Sequence, residues 1–316
     1  MSLMKSHRFC THAALAALFA FSFPFPAANV NAQAASKKGK AAADPEGRAI
    51  KKALPESVKV ERDIVYATYG ERKVMLDLYL PKQPASARIP CIVVIHGGGW
   101  RSGDKTRFAA IAGELAKQGF AAACIGYRLL PEVEFPAPVV DCKAAVRWVR
   151  ANAAPHGIDP DRIGAIGGSA GGHLVAMLGT SDKESKLEGN GGNPGISSRI
   201  QAVVAMATPA DMTSFAERAK IDRDLAVLIS PITHVSKDSA PVLLMHGTKD
   251  AVVPMAQSEM LLEKYHKAGA SAALVKIEGA PHAFWNGQWF DETMKQAGDF
   301  FRKELGSGAV AHSGTE

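Results

Sequence analysis

The sequence contains few of the residues that indicate metal-binding or disulfide-rich proteins. Only four of its 316 residues are cysteine, and neither a Cys-x-x-Cys pair nor a His-Glu-x-x-His motif occurs. A zinc site is therefore not indicated, and we expect no metal. Three cysteines follow the first 32 residues, namely Cys91, Cys124 and Cys142. They permit one disulfide at most, and their apolar surroundings predict small buried side chains.

An excess of positive charge is missing from the body of the chain. The net charge is +6, but residues 1–60 hold nine of the 37 basic residues and only three of the 31 acidic ones. The remainder carries 28 residues of each sign. A neutral body with a basic leader is not typical of proteins that bind nucleic acid, so we expect no such partner.

The apolar stretch near the N-terminus, residues 13–23, is too short to cross a bilayer. It follows Lys5 and Arg8 and precedes a Val30-Asn31-Ala32 segment with small residues at the cleavage positions. This order predicts a signal peptide over 1–32, no stable membrane insertion and a secreted or periplasmic protein. An uncleaved anchor is disfavoured because two prolines end the apolar run early.

The rest of the sequence alternates short apolar runs with helical patterns. Predicted strands cover 58–66, 74–80, 91–95, 120–127, 161–166, 200–207, 241–246 and 272–277, and predicted helices cover 108–117, 139–152, 170–179, 256–268 and 292–304. Such alternation predicts the α/β class, with a doubly wound, mostly parallel sheet. We expect a flexible linker over 33–57, one domain over 58–305 and a disordered tail over 306–316. A Gly/Asn-rich loop at 181–198 and an irregular insertion at 208–240 interrupt the pattern.

The segment Gly167-Gly168-Ser169-Ala170-Gly171 matches the G-x-S-x-G nucleophile elbow. It follows a predicted strand and opens a predicted helix, which is the context that this motif requires. The turn is so tight that the residues two before and two after the nucleophile must lack side chains. We therefore predict that Ser169 is the nucleophile, and a plain glycine-rich turn is the weaker alternative.

A second glycine-rich segment, His96-Gly97-Gly98-Gly99-Trp100, follows the predicted strand 91–95. Glycines allow backbone amides to approach a negatively charged oxygen, as an oxyanion hole requires. A phosphate-binding loop is the alternative, but the Gly-Lys-Ser/Thr ending is missing. The predicted donors are the amides of Gly98, Gly99 and Ala170, whereas His96 is predicted to brace the loop.

An acid and a base follow Ser169 in the order that hydrolases with this elbow use. Asp250 lies beyond the strand 241–246, and His282 lies beyond the strand 272–277. We predict that His282 takes the proton of Ser169 while Asp250 holds the other ring nitrogen. Asp211 is the main rival acid, although a helix or loop cap is the favoured interpretation for it.

Together these motifs resemble the α/β-hydrolase superfamily, in particular bacterial feruloyl/acetyl-xylan esterases and hormone-sensitive-lipase-type carboxylesterases. The resemblance covers residues 91–283 and also rests on Gly103-Asp104-Lys105, Tyr127-Arg128-Leu129, Phe135-Pro136-Ala137, residues 157–163 and His246-Gly247-Thr248-Lys249-Asp250. It implies an α/β-hydrolase fold, with an eight-stranded, mostly parallel sheet whose second strand is antiparallel and with helices on both faces. It also implies ester cleavage through an acyl-enzyme without a cofactor.

The expected substrate is an ester, with small acetyl or feruloyl groups on a plant polysaccharide such as xylan. Trp100 and Trp285 flank the predicted site, where they would either stack on sugars or simply pack the loops. The short segment before the first strand, in place of a helical cap, suggests an open acyl pocket, and 208–240 is a candidate partial lid. A general short-chain carboxylesterase and a non-catalytic, hydrolase-like binding protein are the alternatives. The oligomeric state is left open.

Overall fold

The structure is a computed structural model that describes residues 53–182 and 184–306. The predicted signal peptide at 1–32, most of the predicted linker at 33–57 and all but the first residue of the predicted tail at 306–316 lie outside the described residues. In the part of the chain that is described, no helix combines the length and apolar character needed to span a membrane.

An eight-stranded sheet organises the described region, in the order β1-β2-β4-β3-β5-β6-β7-β8. The strands are β1 Val58–Tyr69, β2 Arg72–Pro81, β3 Ile89–Ile95, β4 Ala121–Ile125, β5 Ile158–Gly168, β6 Ala202–Met206, β7 Val242–Gly247 and β8 Ala272–Ile277. Strand β2 runs antiparallel to β1 and β4, and every other neighbouring pair is parallel. The predicted α/β-hydrolase fold class is thereby confirmed.

Helices cover both faces of this sheet and create two hydrophobic cores. The longer helices are α1 Ala109–Lys117, α2 Ala137–Ala151, α3 Ala170–Thr180, α7 Ala256–Ala268 and α8 Phe290–Leu305. Helices α1 and α8 share one core with Ile92 and Val94 of β3, whereas α2, α3 and α7 share the other with Cys91 and Val93. Because β3 is buried on both faces, its sequence is continuously apolar instead of alternating.

The three cysteines of the described region are free and buried, as predicted. Cys91 lies on β3, Cys124 on β4 and Cys142 on α2. Burial raises the pKa of the Cys91 thiol to about 12. These side chains therefore serve as small core residues and not as reactive thiols.

The loop that follows α3 is fixed by two buried cations that the sequence pattern did not reveal. Lys143 and Arg147 of α2 are almost completely buried, and they bind the carboxylate of Glu188 at 3.1 and 2.6 Å. Lys143 also donates to the carbonyl of Ser181 at 2.7 Å, and Arg147 donates to the carbonyl of Gly191 at 2.6 Å. Through these bonds the two buried charges fasten the loop to the body of the domain, although Nε of Arg147 has no hydrogen-bond partner among the described residues.

The insertion at 208–240 is built from short helices, α4 Ala216–Ala219, α5 Arg223–Leu228 and α6 Pro231–His234, which follow a 3₁₀ turn at Met212–Phe215. Asp211 caps that turn, since its Oδ1 accepts hydrogen bonds from the amide and hydroxyl of Thr213 at 2.9 and 2.6 Å. Asp211 is therefore a capping residue, and the favoured interpretation from the sequence is confirmed.

Candidate active site

Ser169 occupies a sharp turn between β5 and α3. Its backbone angles are φ 55° and ψ −120°, a conformation that costs energy for any residue with a side chain. The flanking glycines make the turn possible. A Cβ atom on Gly167 would lie 2.4 Å from the carbonyl oxygen of Gly171, and one on Gly171 would lie 2.1 Å from that of Ile95. The predicted steric cause of the G-x-S-x-G spacing is thus present in the structure.

The glycine-rich loop begins where β3 ends and lies against the start of α3. Gly98 and Gly99 have φ values of 130° and 59°, and the carbonyl of Gly98 accepts hydrogen bonds from the amides of Arg101 and Ser102, both at 3.1 Å. Ala170 is the first residue of α3, so its amide has no acceptor within the helix. The positive φ values of Gly98 and Gly99 and the place of Ala170 at the helix start are compatible with amides that donate to an oxyanion. Their role as oxyanion donors stays a prediction.

Two buried histidines brace this loop. The ring of His96 stacks on that of Tyr127 with centroids 4.5 Å apart, and its Nδ1 bonds to the carbonyl of Gly97 at 2.7 Å. Trp100 donates its indole N–H to Nδ1 of His173 at 3.1 Å, which leaves Nε2 of His173 to donate to the carbonyl of Ile229 at 2.7 Å. Burial lowers the pKa of His96 and of His173 to about 4, so both rings are neutral at pH 7.

The loops that carry Asp250 and His282 are joined to each other through their backbones. Asp250 follows β7, and His282 follows β8, the neighbouring parallel strand. The amide of Lys249 donates to the carbonyl of Ala280 at 2.9 Å, and the amide of Thr248 donates to that of Ile277 at 3.0 Å. The acid and the base are therefore positioned as one unit.

Asp250 and His282 form the acid–base contact that the sequence predicted. Nδ1 of His282 donates to Oδ2 of Asp250 at 2.7 Å, and the amides of Val252 and Val253 donate to Oδ1 at 2.8 and 2.9 Å. Burial alone would raise the pKa of Asp250. The hydrogen bonds from His246, His282 and the Val253 amide outweigh that effect and hold this pKa well below its ordinary value. The carboxylate is therefore ionised and fixes the proton of His282 on Nδ1.

The other nitrogen of His282 is left as the basic one. Nε2 of His282 is buried, and no described residue forms a hydrogen bond with it, Ser169 included. The two side chains nevertheless belong to one neighbourhood. The ring of Trp285 meets His282 edge to face with centroids 5.5 Å apart and lies 3.0 Å from a Cβ built on Gly168, beside the nucleophile. The hydrogen bond between Asp250 and His282 is present in the structure, whereas a hydrogen bond between Ser169 and His282 stays a prediction.

The predicted substrate-binding role is wrong for Trp285. Only 1% of its surface is exposed, and its ring packs against Phe108, Phe284 and His282. A buried ring cannot stack on a sugar. Trp100 is half-buried, donates its N–H to His173 and meets Phe135 edge to face, so part of its ring packs the loop. Its substrate-binding role stays a prediction.

His246 is the residue near this site whose part the sequence analysis missed. Its Nε2 lies 3.2 Å from Oδ2 of Asp250, the same oxygen that His282 contacts. The signal was its place in the His246-Gly247-Thr248-Lys249-Asp250 segment, four residues before the acid. Within residues 53–182 and 184–306, no cluster of three or more potential metal-ligating side chains occurs.

Residues 76–265 match the model of the BD-FAE family, which is more than half of the chain. The chain belongs to the BD-FAE family. The BD-FAE match includes Ser169 and Asp250 but ends before His282. The contact between His282 and Asp250 therefore supplies the part of the site that the family match does not reach.

Similar proteins carry esterase names. Esterase LipQ of Mycobacterium tuberculosis is 32% identical over 70% of this chain and 56% of its own length. The chain thus spans little more than half the length of the curated relatives it matches. Two solved structures cover it more evenly. A truncated carbohydrate esterase from gut microbiota is 32% identical, covering 84% of this chain and 99% of that one, with a TM-score of 0.71. Thermogutta terrifontis esterase 2 with bound propionate is 30% identical, covering 82% and 98%, with a TM-score of 0.70.

Proposed function

We propose that this protein is a serine carboxylic-ester hydrolase that works through an acyl-enzyme. The observation that carries the proposal is the 2.7 Å hydrogen bond from His282 to an ionised Asp250, which leaves Nε2 of His282 as a base near Ser169. The named esterases among its relatives support the same conclusion.

In the proposed reaction, Oγ of Ser169 attacks the ester carbonyl while Nε2 of His282 takes its proton. Asp250 stabilises the imidazolium that forms. The amides of Gly98, Gly99 and Ala170 donate to the oxyanion of the tetrahedral intermediate, where each well-placed donor contributes about 10²- to 10³-fold in rate. His282 then protonates the leaving alcohol, and water repeats the sequence on the acyl-enzyme to release the acid and regenerate Ser169.

The finer proposal concerns the substrate, a small acyl group such as acetyl or feruloyl on a polysaccharide such as xylan. The support is the carbohydrate esterase that covers 84% of this chain at 32% identity. A general short-chain carboxylesterase is the second candidate, favoured by the similarity to an esterase structure with bound propionate. Acetate release from acetylated xylan, compared with hydrolysis of p-nitrophenyl acetate, separates the two, since activity on the synthetic ester alone contradicts the polysaccharide proposal.

A serine-directed probe tests the chemistry itself. A fluorophosphonate should label the wild-type protein at Ser169, and Ser169→Ala should abolish labelling while leaving the fold intact. The same substitution should lower kcat by roughly 10⁶-fold if the three residues act as a unit. The assignment of Ser169 as nucleophile would be wrong if the Ser169→Ala variant hydrolysed esters at the wild-type rate. It would also be wrong if the probe labelled a peptide that does not contain Ser169.

We also propose that the leader directs the protein to a secreted or periplasmic location. The support is its sequence, in which a basic start, a short apolar stretch and small residues near position 32 follow one another. Fractionation of expressing cells and N-terminal sequencing of the mature protein test this proposal. Uncleaved protein confined to the cytoplasm would contradict it.

A further inference from the structure

The carboxylate of Asp250 contacts a second histidine, His246, that the reaction described above does not use. Nε2 of His246 lies 3.2 Å from Oδ2 of Asp250 and 3.0 Å from the carbonyl of Val253. Nδ1 of His282 donates to the same Oδ2 at 2.7 Å. The acid thus contacts two histidines, of which the proposed reaction uses only His282.

The hydrogen-bond partners of His246 fix its tautomer. Both groups close to Nε2, the Oδ2 of Asp250 and the carbonyl of Val253, can only accept hydrogen bonds, so Nε2 must carry the proton. Nδ1 then has only a lone pair, and the hydroxyl of Ser258 donates to it at 2.8 Å. Ser258 therefore selects the form of His246 that can hold the acid.

Position in the fold makes this arrangement rigid. His246 lies near the end of β7, Ser258 lies in the first turn of α7, and both side chains have no exposed surface. The loop between them contains Asp250 itself. One imidazole ring thus joins a strand, a helix and the acid loop, and these contacts restrict the orientation of the carboxylate.

We propose that His246, locked by Ser258, is a positioning residue that aims the Asp250 carboxylate at His282. This inference rests on the proposed hydrolase function for its kinetic consequences. In it, the hydroxyl of Ser258 donates to Nδ1 of His246, and the N–H on Nε2 of His246 is shared between the carbonyl of Val253 and Oδ2 of Asp250. Nδ1 of His282 donates to the same Oδ2. No proton is transferred through His246. Its N–H keeps one lone pair of Oδ2 occupied so that the other remains aligned with Nδ1 of His282.

Two substitutions of His246 separate its N–H donor from its bulk. His246→Leu removes the donor and should lower kcat by about 10- to 100-fold, with a smaller change in KM, because a hydrogen bond to a charged group is lost. His246→Gln retains an N–H that can reach the carboxylate, and kcat should stay within about fivefold of wild type. Equal losses in the two variants would overturn the proposal.

Ser258→Ala tests the tautomer lock with the ring left in place. It should produce a loss of kcat between those of the two His246 variants, and it keeps the proposal testable if His246→Leu does not fold. Ser181→Ala is the matched control, since Ser181 is also a buried serine whose hydroxyl has one short hydrogen bond, to the carbonyl of Met177 at 2.6 Å. The control should lose some stability and leave kcat at the wild-type value.

Two readouts distinguish positioning from a purely structural role. The titratable groups that contact the carboxylate are His246 and His282, whereas the nearby Lys276–Glu259 pair is exposed. With the His246 donor gone, the less stabilised carboxylate should favour the imidazolium on His282, and the acid limb of the kcat/KM profile should move up by about half a pH unit. The proton between His282 and Asp250 should give a far-downfield NMR signal that broadens or shifts in His246→Leu.

The NMR signal also keeps this proposal separate from the proposed function. If the wild-type protein hydrolyses no ester, the proposed function is wrong. A downfield signal that broadens or shifts in His246→Leu would still support the positioning role of His246. If His246→Leu loses activity only in proportion to its unfolded fraction, with the wild-type pH profile and signal, then His246 is structural and the positioning proposal is wrong.

Discussion

The two halves of the site are held together by different physical means. The nucleophile half comprises residues 95–102 and 167–173, and the acid–histidine half comprises residues 246–253 and 277–282. In the nucleophile half, missing side chains let main chains approach closely, as at Gly167 and Gly171. The acid–histidine half contains one such glycine, Gly247, but its loops are otherwise joined by hydrogen bonds.

Each half of the site should therefore tolerate a different kind of substitution. A half built on close approach of main chains is damaged most by added atoms. A half built on hydrogen bonds is damaged when a donor or an acceptor is removed or reversed. Substitutions that add a methyl group and substitutions that alter polarity should therefore separate the two halves.

The largest expected effect comes from reversing one polarity in the acid–histidine half. In Asp250→Asn, the oxygen can keep the amides of Val252 and Val253, but the new NH₂ group meets the N–H groups of His246 and His282. Donors then face donors, and the proton of His282 is no longer fixed on Nδ1. We expect kcat to fall about 10⁴-fold with the fold retained, as steady-state kinetics and circular dichroism would show. A loss below tenfold would contradict the assignment of Asp250.

Next comes the addition of one methyl group to the nucleophile half. In Gly171→Ala, the new Cβ would lie 2.1 Å from the carbonyl oxygen of Ile95 and 2.8 Å from that of His96, and neither main chain can withdraw easily. We expect unfolding free energy to fall by about 3 kcal/mol or more, measured by urea denaturation.

Gly113 in the interior of α1 provides the matched control for Gly171. Its Cβ would meet only side-chain atoms of Pro55 and Leu54 at 3.5 and 3.8 Å. Because alanine is the better helix former, Gly113→Ala should raise stability by about 0.5–1 kcal/mol. Equal destabilisation by both substitutions would contradict the steric account of the elbow.

Acidification should also weaken the nucleophile half first. Its two buried histidines, His96 and His173, have pKa values lowered to about 4, against about 6.5 in the unfolded chain. Between these pH values the unfolded chain binds more protons, so stability is complete above pH 6.5 and falls as the pH drops towards 4. Each ring contributes up to about 1.4 kcal/mol per pH unit.

The acid–histidine half follows a different pH range. The pKa of Asp250 is lowered by its hydrogen bonds, so its contribution is present above the ordinary aspartate pKa and is lost only at lower pH. Urea denaturation at several pH values measures both effects. His173→Gln should reduce the slope between pH 6.5 and 4 by about half, and an unchanged slope would show that His173 is not a buried neutral group.

The smallest effect is expected from one hydroxyl group that bridges the two loops of the acid–histidine half with two hydrogen bonds. The hydroxyl of Thr248 accepts from the amide of Gly279 at 2.8 Å and donates to the carboxylate of Glu278 at 3.2 Å. Thr248→Ala should lower unfolding free energy by about 1 kcal/mol. Thr213→Ala, which alters an exposed cap, is the control and should cost less. Calorimetry would resolve the difference, and the reverse order would contradict it.

The features that were predicted correctly are those that depend on residues close together in the sequence. The alternation of apolar runs and helical patterns predicted the sheet and its crossover helices, and the glycine spacing around Ser169 followed from the sterics of one turn. The positions of Asp250 and His282 followed from strand ends that become neighbours in a parallel sheet. Errors at strand ends were small, for instance in β1, which continues to Tyr69 because it pairs with β2 across a short turn.

The parts that escaped prediction depend on distant segments. Trp285 is aromatic and close to His282 in sequence, but its burial results from Phe108 and Gly168, which are far away along the chain. His246 resembles an ordinary turn residue until Ser258 of α7 is brought against it. A pattern of residue types does not show that Trp285 will be buried, or that Ser258 will contact His246, because both contacts join segments that are distant in the sequence.

The contact between His173 and the insertion at 208–240 has a consequence for how this protein can be altered. The acceptor on the insertion is the carbonyl of Ile229, a main-chain atom that every amino acid possesses. Exposed side chains of that segment, such as Val227, can therefore be exchanged without removing this anchor. Changes at the exposed positions of 208–240 should therefore leave the brace of the elbow in place, whereas buried residues such as Met212 and Ile229 also belong to the core.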